Sequence, residues 1–86
     1  MTGKSRRKMD YLRLSALAAD MGQLLTERQD LLSEDDAHLL FDLRSQLRGM
    51  SALLVQDDLH AAVNTIIHLA MHEYVRIKLE LGPREP

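Results

Sequence analysis

Residues 59–82 read "LHAAVNTIIHLAMHEYVRIKLELG". Leu59, Val63, Ile66, Ile67, Ala70, Tyr74, Ile77 and Leu81 recur every three or four positions, which is the period of one helix face. The stripe holds for more than twenty residues, too long for a strand. Gly82 followed by Pro83 supplies a stop signal. Upstream, Asp57 is a natural N-cap, with Asp58 in the first turn. The pattern predicts a helix over about residues 58–81 and a frayed tail over 83–86.

Two further helices follow from the same period. Leu14, Leu17, Ala18, Met21, Leu24 and Leu25 share one face of a helix over about residues 9–30, weakened by ~1 kcal/mol at Gly22. Ser33 is placed to accept a backbone N–H three residues on. Glu34, Asp35 and Asp36 put negative charge in the first turn, where the helix dipole favours it. From there Leu40, Leu43, Leu47, Met50 and Leu54 define a helix over about 34–55. Gly49 interrupts it and marks a place where another helix can approach closely. Residues 1–8, "MTGKSRRK", carry no apolar period and read as a flexible basic arm. Short connections favour antiparallel neighbours. The expected fold is all-α: a small three-helix bundle, up-down-up, or half of a helical dimer.

Composition agrees. The chain has 86 residues, 45% hydrophobic and 28% charged, with 3% aromatics and no cysteine. That suits one globular domain with a leucine-based helical core. No cysteine means no disulfide and no thiolate metal site. No apolar run reaches the ~20 residues needed to span a bilayer, and no signal-peptide apolar core follows the basic start, so the expected location is cytoplasmic and no membrane partner is expected. The net charge of -2 hides an asymmetry. In residues 1–13, Lys4, Arg6, Arg7, Lys8 and Arg13 oppose only Asp10. In residues 14–75, ten acids oppose Arg28, Arg44 and Arg48. Such an acidic body repels a phosphate backbone and attracts basic protein surfaces.

His68 and His72, four apart with Glu73 beside the second, invite a metal reading. On a wheel both lie about 160° from the apolar stripe, while Glu73 falls near its edge. Zinc protease helices carry the glutamate between the histidines, and a catalytic zinc wants a third protein ligand. His38 and His60 have no sequence signal bringing them near. The pair reads as a solvated helix face, and no metal or cofactor is expected. Asp35-Asp36 and Asp57-Asp58 sit at helix starts, where capping explains them, and no serine lies in a glycine-rich elbow. A non-enzymatic protein is expected, since so small a bundle offers little room for an enclosed pocket.

More informative are apolar residues away from the stripes. Phe41, the only phenylalanine, lies about 140° from the leucine line of its helix, on the side of Ala37, Arg48, Ala52 and Val55. Met71 and Val75 sit about 100–140° from the stripe of the third helix. With Glu34, Asp35, Asp36 and Asp42 at the edge, these residues form a candidate contact patch for a partner with a basic or apolar surface. Aromatic anchors and adaptable methionines serve such surfaces, and acidic rims speed encounter with basic partners. The bland alternative is a bundle whose middle helix is wrapped on more than one side.

In size, helical content and charge, over its whole length, the chain resembles small all-helical antiactivators, which bind and inhibit quorum-sensing or conjugative-transfer transcription regulators in bacteria. The resemblance is one of general character and carries over no site residues. It implies sequestration: the protein would occupy a transcription activator and block its DNA binding or assembly. Two other readings stand beside it. One is a small DNA-binding repressor or antitoxin using Lys4, Arg6, Arg7 and Lys8 on phosphates. The other is a self-assembling structural helical module.

Overall fold

A computed structural model describes residues 3–56 and 58–82. It is all-helical, with no strand among the described residues: α1 spans Gly3–Glu27, α2 Glu34–Leu53 and α3 His60–Leu81, and a 3-10 turn over Gln29–Leu31 joins the first two.

Three stripes meet in one core. α1 contributes Leu14, Leu17, Ala18, Met21 and Leu24, α2 contributes Leu40, Leu43 and Leu47, with Leu54 just beyond it, and α3 contributes Val63, Ala70 and Ile77. The α1 and α2 sets follow the three-four spacing seen in the sequence, while the fully buried residues of α3 stand seven apart. Leu25, Met50, Leu59, Ile66, Ile67, Tyr74 and Leu81 pack half-buried around them. α3 buries a seven-residue repeat, flanked by Ile67, Tyr74 and Leu81 at the same interval, which is the seam geometry of helices packed side by side.

The helix ends correct several expectations. Residues 3–8 are not an arm, because α1 begins at Gly3. Lysine and arginine are good helix formers, and the Arg6 guanidinium pairs with Asp58 just ahead of α3, so this segment gains a tertiary contact that a periodicity search does not register. α1 stops at Glu27 rather than residue 30, and α2 at Leu53 rather than 55. Turns follow in both places, with Leu31 N–H donating to Arg28 and Gln56 N–H to Leu53. α3 starts at His60, with Leu59 at the N-cap and no side-chain cap. Asp58 therefore precedes the helix and serves Arg6 instead. The expected cap Asp57, the tail 83–86 and the Lys4 side chain lie outside the described residues.

Other local signals hold. The Ser33 hydroxyl accepts from Asp36 N–H at 3.1 Å, and Gly82 leaves α3 at φ 78°, a left-handed conformation that glycine adopts without strain. The crowded glycine, however, is Gly22, over which the Arg44 side chain lies, and not Gly49. A methyl group on Gly22 would stand 3.0 Å from Arg44 Nε across the α1–α2 contact, whereas one on Gly49 would meet nothing within 4 Å.

Candidate protein-interaction surface

On α2, Glu34, Phe41 and Arg48 succeed one another at seven-residue intervals, and Val55 continues the line past the helix end. All four are exposed, and Phe41 presents 58% of its surface to solvent. Its neighbour Leu40 is fully buried, so the helix turns its leucines inward and its one phenylalanine outward. Asp35 and Asp42 are also exposed, about 100–120° around the helix from Phe41.

Asp36 plays a different part. Its carboxylate accepts from Arg76 of α3 at 3.1 Å. Arg76 also donates to Glu73 at 2.9 Å and to Glu80 at 3.1 Å. The bond to Glu73, then those to Asp36 and Glu80, hold the guanidinium well above its ordinary pKa range. The network ties the start of α2 to the second half of α3. The acidic rim near Phe41 is thus Glu34, Asp35 and Asp42, with Asp36 engaged in the fold.

Met71 and Val75 share a second surface. With His68, His72, Arg76, Leu79 and Glu80 they line a shallow open depression of about 710 Å3 along α3. Phe41 does not line it, so the residues singled out in the sequence fall into two strips on two helices. His72 is widely exposed, its Nδ1 3.7 Å from Glu73 Oε1. Among the described residues no three histidines or carboxylates cluster closely enough to hold a metal ion.

A polar site without any sequence signal sits between α1 and α3. Asp10 is 1% exposed. One carboxylate oxygen takes the His60 Nδ1 contact at 2.8 Å, and the other accepts from Arg13 at 3.2 Å. Arg13 also donates to Asn64 Oδ1 at 2.9 Å, and Asn64 Nδ2 lies 3.3 Å from His60 Nε2. This closed ring is satisfied when Asn64 donates to Nε2 and the imidazole proton sits on Nδ1, facing Asp10. A carboxylate holding Nδ1–H is also how a general base is oriented. Here Nε2 meets an amide rather than a hydroxyl or thiol, so the ring joins helices. His60, unplaced by the sequence, is thereby fixed against a residue 50 positions earlier. Of the basic segment, Arg6 is engaged by Asp58, Arg7 is half-buried and Lys8 is exposed. The Arg6 hydrogen bond is the main reason the Asp58 carboxyl titrates below its usual range.

At the far end, a depression of about 550 Å3 is lined by residues including Asp20, Glu27, Arg28 and Lys78. Arg28 donates to the Gly82 and Leu81 carbonyls at 3.1 and 3.2 Å, so this cation satisfies the carbonyls that end α3. No helix is long and apolar enough to cross a membrane among the described residues.

No protein-family model, curated protein or solved structure matches the chain.

Proposed function

We propose that the chain is a small regulatory protein that works by binding another protein and has no catalytic role. The observation that carries this reading is Phe41, the only phenylalanine, which stands 58% exposed beside exposed acids while leucines build the core. A large aromatic left outside an intact core costs solvation and contributes little to folding, whereas aromatic anchors dominate binding energies at interfaces. The acidic rim of Glu34, Asp35 and Asp42 favours a partner with a basic surface. A transcription activator, whose DNA-binding face is basic, fits that chemistry. Sequestration of such an activator in a bacterial cytoplasm is the specific form we propose, with an up-down-up order of helices. The Asp10–His60 and Arg28–Gly82 contacts, which pair the starts of α1 and α3 and then their ends, support that order. Engagement of Arg6 by Asp58 leaves less of the basic segment for DNA, which disfavours the repressor reading.

The test is affinity capture with the wild-type chain and with Phe41→Ala from the native host, with identification of retained proteins. A transcription regulator held by the wild type and lost with the variant is expected. Retention of the same proteins by both, or sequence-specific nanomolar binding of duplex DNA by the wild type, would overturn the proposal.

A further inference from the structure

α3 carries a second seam on its outer side. Ala61, Thr65, His68, His72, Val75 and Leu79 are spaced by alternating steps of four and three, and all six are exposed. This is the spacing that packs helices side by side, repeated on the face opposite Val63, Ala70 and Ile77. None of the six carries a fixed charge, although 28% of the chain is charged. A solvated helix face is normally rich in charge.

We propose that a second copy of this chain covers this strip, in an antiparallel, two-fold pairing of α3 with α3. Side-chain size decides the orientation. The strip grades from small at its start, Ala61 and Thr65, to large at its end, Val75 and Leu79. With a two-fold axis passing beside Ala70, Ala61 meets Leu79 of the second copy, Thr65 meets Val75 and His68 meets His72. Small then faces large in the outer layers, whereas a parallel pairing would leave a gap at one end and crowd leucines at the other. Charge points the same way. The acidic bodies repel each other, and the uncharged strip lets two copies meet without opposing fixed like charges. Closed two-fold pairing through one self-complementary patch is also the commonest form of oligomer. The strip runs for about 27 Å. A seam of that length gives an interface near the lower bound of about 1,000 Å2 for specific association, so the dimer is a weak one that forms at high protein concentration.

Both His68 and His72 are exposed to solvent. On their own helix Glu73 lies 3.7 Å from His72, and Arg76 is engaged by Glu73, Asp36 and Glu80. In the dimer each imidazole faces an imidazole of the other copy, so protonation of both opposes association.

Sedimentation equilibrium of the full chain, from micromolar to near-millimolar concentration, tests the proposal. At pH 8 the expected species at high concentration is a dimer that Leu79→Glu weakens at least tenfold, with unchanged helicity because Leu79 is 76% exposed. At pH 5.5 the wild type is expected to dissociate. Orientation is read by crosslinking, which the cysteine-free chain permits. The double variant Ala61→Cys with Leu79→Cys forms a disulfide-linked dimer on oxidation, and Ala61→Cys alone does not. A wild-type monomer at every concentration overturns the proposal and leaves the strip to a different partner. A dimer insensitive to pH, or one that Ala61→Cys alone links as readily as the pair, overturns this register.

Discussion

Leu40 and Phe41 are adjacent in sequence and opposite in fate. Leu40 is fully buried among α1, α2 and α3, while Phe41 stands 58% exposed. One step along a helix turns a side chain by about 100°, enough to separate a residue that holds the fold from one that does not. The difference teaches that this bundle closes on aliphatic side chains and one methionine and leaves its one phenylalanine exposed. The buried line holds the core, and the exposed line is the one proposed to meet a partner.

Leu47→Ala should give the largest effect. Leu47 is fully buried on the Leu40 line, and truncation there should cost about 2–5 kcal/mol in urea unfolding. A loss below about 1 kcal/mol would erase the contrast. Asp10→Asn comes next. The amide cannot accept from both His60 and Arg13 as the carboxylate does, and the imidazole cannot turn its proton away without opposing Asn64. A loss of about 1–3 kcal/mol is expected, with unchanged stability in the variant showing that the ring is not a helix clamp.

These two positions also mark what was legible in the sequence. Leu14, Leu17, Leu40, Leu43, Leu47, Val63, Ala70 and Ile77 were readable because helical burial repeats with the helical period. The Ser33 cap and the Gly82 stop were readable because their partners are within four residues. Asp10 was not, since its partner His60 lies 50 positions away and neither residue belongs to a periodic set. The Asp36–Arg76 bond, 40 positions apart, is hidden for the same reason, so sequence alone groups Asp36 with the rim. The start of α1 looks like an arm in sequence because a segment held by Arg6 and good helix propensity shows no apolar period. Gly49 and Gly22 could not be told apart locally, since only the opposing helix decides which glycine is crowded. The Phe41 side of the candidate surface was legible, and its separation from the Met71 strip was not.

Smaller effects sharpen the comparison at the surface. Gly49→Ala should stabilise the chain by about 0.5–1 kcal/mol in the same unfolding assay, because the residue is helical, exposed and open around its Cα. Destabilisation would mean that a helix does approach there. The Arg6–Asp58 pair should show itself in the pH dependence. Asp58 titrates lower in the folded chain than its ordinary value, so its contribution is present above the ordinary carboxylate range and is lost as pH falls through the lowered value. Urea midpoints measured against pH should have a shallower acid slope in Arg6→Gln, and an identical slope would place the pair outside the folded balance. Phe41→Ala should change stability least, by under about 1 kcal/mol, as expected for an exposed side chain.

The decisive measurement is calorimetric binding of the captured partner to wild type and to Phe41→Ala, with the variant's helicity and melting confirmed unchanged. If the exposed line carries binding, truncation weakens affinity by about 2 kcal/mol or more, roughly thirtyfold in Kd. An unchanged Kd in a fully folded variant would contradict the account and leave Phe41 with no part in binding.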